Sequence, residues 1–270
     1  MIDVNDKVVF LTGGAKGIGA AVVKEFLQRG AKHVAFLDID KNGGLKFENE
    51  LAECYGKNKV KFIECDVGDD EQLFGAYNSV IADNGYIDVV INNAGVGEQN
   101  NDNYKNIINI NIRALITSTI KGLEHMRVDR GGKGGTIINV SSTAALCQLS
   151  PSYFVYFATK SAVQQFSNCI GMQNYYSRTG VRVVTVCLGS TDTEILGLMK
   201  SFDPEAEDEI RRIVSIYPVQ SLESAARGLL TAFELGESGD TWLVNNDKPA
   251  RNITEKIKKA YEIMSEDLLN

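Results

Sequence analysis

The chain has 270 residues, 44% hydrophobic and 23% charged, which is enough for one large buried core and too little for more than two small domains. A formal net charge of -7 and a pI near 5.0, with no basic block anywhere, exclude a phosphate-binding surface of the kind nucleic acids need. No stretch reaches the roughly 20 apolar residues that span a bilayer, and the opening MIDVNDKVVFLTGG lacks the basic flank and apolar run of a secretory leader, so a cytoplasmic protein is expected. Cys54, Cys65, Cys147, Cys169 and Cys187 are odd in number and widely spaced, and His33 and His125 are the only histidines. This pattern predicts reduced thiols packed in the core and no metal site. The glycosylation patterns at Asn139 and Asn252 carry no weight in such a compartment.

In chain order, KVVFLT (7–12) is the first β-branched run, and AAVVKEFLQRG after it reads as a helix stopped at Gly30. HVAFLD (33–38) and VKFIECD (60–66) follow, then the helix EQLFGAYNSVIADNG, stopped at Gly85, and the run IDVVINN (87–93). RGGKGG (130–135) is a surface turn before GTIINVSS (135–142). A long helix is predicted over Pro151–Arg178, begun after Ser150 and ended by Gly180, before VRVVTVCLG (181–189) and DTWLVN (240–245). Seven such runs, apolar on both faces, predict a seven-stranded parallel sheet with helices on either side: a single-domain, Rossmann-type doubly wound α/β fold over residues 1–270.

Between the first run and its helix stands Thr12-Gly-Gly-Ala-Lys-Gly-Ile-Gly19. Glycines there let the backbone turn tightly and approach a pyrophosphate, whose charge meets the positive end of the helix. Thr12, Gly13, Lys16, Gly17, Ile18 and Gly19 are therefore candidate cofactor contacts. About 20 residues on, the second run closes on Asp38-Ile-Asp40, where Asp38 would accept hydrogen bonds from the adenosine ribose and repel a 2′-phosphate. Lys16 argues the other way, but an unpaired carboxylate beside a phosphate costs more than a mobile lysine gains, so the expected cofactor is NAD rather than NADP.

YFVYFATK (153–160) sets two phenols and one ammonium on one side of a helix. Spacing alone leaves Tyr153 and Tyr156 both in play as the partner of Lys160.

With TGGAKGIG (12–19), NNAG (92–95), Asn111, Ser141-Ser142 and YFATK (156–160) in this order, the sequence resembles the short-chain dehydrogenase/reductase family from Lys7 to about Val244. GVRVVTVCLG, Asp38, Cys65-Asp-Val67 and the opening DKVVF look similar, within it, to NAD-dependent 15-hydroxyprostaglandin dehydrogenases and related insect alcohol dehydrogenases. The resemblance implies a hydride moved between nicotinamide and a carbinol carbon. It makes Tyr156 the acid/base, with Lys160 lowering the phenol's pKa and reaching the ribose, Ser142 holding the substrate oxygen and Asn111 completing a proton relay through water. It places Asp66 and Val67 beside adenine, Asn93, Ala94 and Gly95 along the cofactor, and Gly189, Thr191 and Thr193 at the nicotinamide and phosphates. Each of these also has a structural reading: Val67 as core, Asn111 as a brace, Ser142 as the end of a strand.

Two departures from the family pattern stand out. Leu188 replaces the proline of the family's PGxxxT turn, removing a backbone restraint. The interval from Ser142 to Tyr156 is one residue longer than usual; Thr143 in place of Ser142 would restore the spacing, but the Ser pair closing INVSS fits the family better. A substrate lid is expected over about 190–218, where Ile195, Leu198, Met199 and Phe202, with Leu146, Leu149 and Tyr153, would line an apolar pocket for a lipophilic alcohol or ketone. A helical tail over about 252–269 carries Ile257, Ala260, Tyr261, Met264 and Leu268 on one stripe. The resemblance also implies a homodimer or homotetramer. The competing expectations are an NADP-dependent carbonyl reductase and a catalytically idle dinucleotide-binding protein; loss of Tyr156, Lys160 or Ser142 would have favoured the latter, and all are present.

Overall fold

The computed structural model describes residues 1–97, 103–148, 153–197, 203, 205, 207, 208, 212 and 215–268. Strand β1 (Val8–Thr12) leads through α1 (Gly17–Gln28), β2 (His33–Asp38), α2 (Lys41–Tyr55), β3 (Val60–Glu64) and α3 (Asp70–Asn84) to β4 (Val89–Asn92). A continuous helical rod follows, made of α4 (Tyr104–Ile108), a π-helical turn (Asn109–Ala114) and α5 (Leu115–Met126). Then come β5 (Gly135–Ser142), α6 (Phe154–Ile170), α7 (Gln173–Thr179), β6 (Val181–Leu188) and the short α8 (Glu194–Gly197). The chain closes with α9 (Leu222–Leu235), β7 (Thr241–Val244), β8 (Arg251–Asn252) and α10 (Thr254–Ser265).

The strands form one sheet in the order β3-β2-β1-β4-β5-β6-β7-β8, parallel throughout except for β8. Every residue of β1 is buried, because both faces are covered. Val9 and Leu11 pack in one core with Val22 and Phe26 of α1 and Phe233 of α9. Val8 and Phe10 pack in the other with Leu73 and Tyr77 of α3 and Leu123 of α5. Because β1 lies between β2 and β4, the connections leaving β1 and β4 turn to opposite faces and open a crevice at the carboxyl ends of the strands.

The structure corrects the sequence reading in three places. The sheet has eight strands, since Arg251–Asn252 pairs antiparallel with Trp242 and Leu243; two exposed polar residues carry no strand periodicity. The predicted helix over 151–178 is two helices. Gly171 packs against Gly239 and Met172 adopts an extended ψ of 144°, so the helix cannot run on past Ile170. At its start, Tyr153 precedes the first helical residue, and Ser150 and Pro151 lie outside the described residues. Only Cys65 and Cys187 belong to the core; Cys54, Cys147 and Cys169 are exposed, on helical and loop surfaces. The tail helix docks along one side: Ile257 and Tyr261 are half-buried, whereas Ala260, Met264 and Leu268 face outward.

Among the described residues no helix is long and apolar enough to cross a membrane, and no three His, Cys, Asp or Glu side chains cluster as metal ligands would.

Candidate active site

The glycine turn is built for close approach. Gly13 has φ +69°, and a Cβ there would lie 2.8 Å from Ala94 Cα; a Cβ on Gly19 would lie 1.9 Å from the Gly13 carbonyl oxygen. No side chain fits either place, so the turn presses backbone on backbone against the end of β4. Thr12 and Asn93 fasten that contact. The Thr12 hydroxyl accepts from Asn93 N and Ala94 N, both at 3.1 Å, and Asn93 Nδ2 donates to Thr12 O (3.1 Å) and Gly13 O (2.9 Å). Ile18, half-buried in the first turn of α1, packs on the core. At the tip of β2, Asp38 Oδ2 accepts from Ala15 N at 3.0 Å and Oδ1 from Asp40 N at 3.1 Å, which turns the carboxylate toward the glycine turn.

Lys16 reaches across the mouth of the crevice to Glu194, at 2.7 Å. Its pKa is raised by that hydrogen bond and by the negative field of Glu194, Asp38 and Asp40. Glu194 was absent from the sequence-derived candidates, since its partner lies 178 residues away.

The strand ends of β4 and β5 converge with α6 on Ser142, Tyr156 and Lys160. Burial pushes the Tyr156 phenol's pKa up, and the neighbouring Ser142 side chain draws it down. Ser142 also caps the short turn Thr143–Ala145, its Oγ accepting from Ala144 N at 3.1 Å. One turn further along α6, the Lys160 ammonium sits 5.7 Å from the Tyr156 ring centroid and donates to Val140 O at 3.1 Å. Burial lowers its pKa to about 8, and the neighbouring Cys187 thiol works in the opposite sense. Gly95 closes the group: a Cβ there would lie 3.4 Å from Asn111 Oδ1 and 3.5 Å from Lys160 Nζ.

Asn111 occupies the π-helical turn with its side chain fully engaged. Its Oδ1 accepts from Val96 N at 2.9 Å, and its Nδ2 donates to Val96 O (2.9 Å) and Thr159 Oγ1 (3.2 Å). The side chain is thus a brace between β4's extension and α6, the alternative left open by the sequence. A π turn of this kind recurs at functional sites because it rotates the following helix without breaking it.

Of the remaining candidates, Asp66 is exposed and accepts from Gly68 N at 2.8 Å, while Val67 is buried in the second core. Gly189 backs onto Asn245, and Thr191 is buried with its hydroxyl donating to Gly189 O at 2.9 Å. Thr193 donates to Thr191 O at 3.2 Å. Leu149, Leu198, Met199 and Phe202 lie outside the described residues, as do the other residues of 198–202 and several between 204 and 214 of the expected lid. Tyr153 is 2% exposed and meets Tyr156 edge-on, ring centroids 5.7 Å apart.

Beneath the site runs a polar layer that the sequence reading leaves unassigned, Asn92 falling within NNAG and Asn139 within a discounted glycosylation pattern. Asn92 and Asn139 are paired in register across β4 and β5 and bonded at 2.8 Å, with Ser118, Thr119 and Ser167 completing the set. An asparagine inside an otherwise apolar buried strand is the sequence signal that marks both.

A doubly wound sheet with a glycine turn after β1, and Ser142, Tyr156 and Lys160 gathered at the carboxyl ends of its strands, defines a Rossmann-type α/β enzyme. Residues 7–203 match the short chain dehydrogenase family, and the chain belongs to that family of oxidoreductases. It is 35% identical over 236 residues to the 15-hydroxyprostaglandin dehydrogenase [NAD(+)] of Mus musculus, covering 86% of each chain. It is 30% identical to alcohol dehydrogenase 1 of Ceratitis cosyra, covering 90% of this chain and 93% of that one. A 3-ketoacyl-(acyl-carrier-protein) reductase from Brucella melitensis, solved with NADH, superposes with a TM-score of 0.75 at 23% identity, covering 90% of this chain and 98% of the other.

Proposed function

We propose that the protein is an NAD-dependent dehydrogenase acting on a lipophilic secondary alcohol or the corresponding ketone. The observation that carries this reading is the gathering of Ser142, Tyr156 and Lys160, with the Lys160 ammonium one helical turn on and 5.7 Å from the Tyr156 ring centroid, at the crevice mouth where such sheets take their ligands.

The residues fit a dinucleotide. The glycine turn leaves a cradle that a Cβ at Gly13 or Gly19 would fill, and the α1 N-terminus stands behind it with donors for a pyrophosphate. Asp38 suits a ribose diol and opposes a 2′-phosphate. Asp66 and Val67 would flank adenine; Asn93, Ala94, Gly95, Lys160, Gly189, Thr191 and Thr193 would line the remainder. When bound, NAD supplies the acceptor for the hydride that leaves the carbinol carbon.

Tyr156 takes the substrate's hydroxyl proton in oxidation and returns it in reduction. A phenol with an ordinary pKa of about 10, held higher still by burial, is a poor base. The Lys160 charge and the Ser142 hydroxyl both favour the phenolate, and Ser142 can hold the substrate oxygen at the same time. Asn111, its side chain engaged, fixes the π turn and thereby the path along which water would refill the proton.

The wall beside Tyr156 is aromatic and apolar, with Tyr153 buried against it and Leu146 on the turn after Ser142, which suits an oily carbinol. The relatives' names, a prostaglandin dehydrogenase and an alcohol dehydrogenase, point the same way. The rod holding Asn111 and helix α6 present exposed Ile108, Ile120 and Phe154, which supports a homo-oligomeric interface there; sedimentation velocity would test it, a monomer at micromolar concentration counting against it.

Tyr156→Phe tests the chemistry. The variant should bind NADH as tightly as the wild type while turnover of a panel of aliphatic, terpenoid and steroid alcohols falls by about 10³-fold or more. Unchanged turnover would remove Tyr156 from the mechanism.

A further inference from the structure

We propose that Gln220 is a positioning residue for the nicotinamide end of the site, holding the turn Gly189–Thr193 in place of the proline that Leu188 replaces. This rests on the reading that the turn meets the nicotinamide half of the cofactor.

Without a proline ring the backbone at 188 has no built-in φ restraint, yet the turn is tied down on several sides. Thr191 and Gln220 form an isolated parallel bridge, Gln220 N donating to Ser190 O at 2.9 Å and Asp192 N to Gln220 O at 3.0 Å. The Gln220 side chain, 1% exposed, lies under the same turn. Its Nε2 donates both to Thr191 Oγ1 and to Val244 O, each at 3.0 Å. Thr191 passes its own proton to Gly189 O at 2.9 Å, and Gly189 N donates to Val244 O at 2.8 Å. The donors therefore run one way, from Gln220 through Thr191 to Gly189, and clamp the turn onto the end of β7. The Thr191 hydroxyl has no proton left for a ligand, so a cofactor meets the backbone of this turn, and the geometry of that backbone is what Gln220 sets.

The amide orientation is forced. Turning it round would set Oε1 against the Val244 carbonyl oxygen, two acceptors face to face. As placed, Oε1 is buried with no hydrogen-bond partner. A buried acceptor left unsatisfied is a standing cost to stability. Methionine would fill nearly the same volume without that cost. It would also leave no other group unpaired, since Val244 O keeps Gly189 N and Gly189 O keeps Thr191. A side chain chosen for stability alone would not be this one; a side chain that holds the turn in one geometry would.

Gln220→Met therefore separates the two roles. Dissociation constants for NADH and for ADP-ribose, which lacks the nicotinamide, are measured by titration calorimetry on wild type and variant, with Tm for each. The expected result is NADH binding weakened about tenfold, ADP-ribose binding unchanged and Tm equal to or above the wild type's. Gln220→Glu, which keeps the shape but turns the donor into a second acceptor against Val244 O, should weaken NADH further. NADH affinity unchanged in Gln220→Met would overturn the proposal. So would a parallel loss of both ligands with a lowered Tm, which is what a merely structural glutamine predicts. Wild-type protein that binds neither ligand would overturn the dinucleotide reading itself, and the proposal with it.

Discussion

Lys160 is a cation held 5% exposed with one carbonyl for company, and its pKa of about 8 is the measure of what that confinement costs. The unfolded chain keeps this proton up to about 10.5, so the native state is penalised throughout neutral pH and recovers only as pH rises from 8 toward 10.5. Lys160→Met should therefore stabilise the apoprotein by about 3 kcal/mol at pH 7, a Tm gain of several degrees, while abolishing turnover. The gain should shrink above pH 8. A destabilised Lys160→Met protein would show that the ammonium, not the packing, supports α6. Lys16 poses a different question, because its charge is already answered by Glu194. Both partners are well exposed, so the pair contributes little to folding, but it keeps Lys16 from a 2′-phosphate. Glu194→Gln is expected to tighten NADPH binding by about two- to fivefold relative to NADH, read as a ratio of dissociation constants. A ratio that does not move would mean Asp38 alone discriminates.

Among the elements, β6 joins the two halves of the site's support. Arg182, buried in its first turn of chain, donates from NH2 to Phe233 O at 2.6 Å, from NH1 to Gly236 O, and from Nε and NH2 to Thr136 Oγ1 at 3.2 and 3.0 Å. The guanidinium thus closes the carbonyl end of α9, where the helix dipole favours a cation. Arg182→Lys cannot reproduce that fork, and should cost about 2 kcal/mol, roughly 5 °C in Tm, with NADH affinity unaffected; thermal denaturation and calorimetry decide it. Elements with an internal pattern are legible in the sequence: β1 through its apolar run, α3 through the Asp69 cap and the left-handed Gly85 that bound it. For the Ser142, Tyr156 and Lys160 group, the helix period brings only a phenol and Lys160 to one side and leaves Tyr153 in play; the choice of Tyr156 and Ser142 comes from the family resemblance. What escapes is set by distant contacts. The break at Gly171 depends on Gly239, β8 on the edge of β7, and Gln220 and Glu194 on turns that come near only in the folded sheet. The cores fill with apolar residues wherever they fall, whereas thiols can remain outside, which is why three of five cysteines do.

At the scale of the whole molecule, stability should fall in two steps on acidification. Burial lowers the pKa of both His33 and His125, so the unfolded chain protonates near 6.5 and the native state only lower. The contribution of the two neutral imidazoles is thus complete above about 6.5 and declines as pH falls through it. His33 is the buried one of the two, with Nδ1 on Asn58 O at 3.1 Å and Nε2 without a partner. Asp69, Asp83, Asp129 and Asp247 are held below the ordinary carboxylate pKa by hydrogen bonds, so their support is lost as pH falls below about 3.8. Urea unfolding between pH 5 and 8 should show the first decline, and His33→Gln should flatten it; an undiminished slope in that variant would assign the decline elsewhere.

The position of β1 has a further consequence during synthesis. Its neighbour β2 emerges directly after it, but its other edge pairs with Val89–Asn92, and Val8 N waits for Asp88 Oδ2 at 2.8 Å. Until that segment leaves the ribosome, five consecutive apolar or β-branched residues present an unpaired strand edge with no charge to guard it. An interior strand of the finished sheet is thus, for some eighty residues of translation, an open edge of the nascent chain, and one a chaperone would have reason to cover.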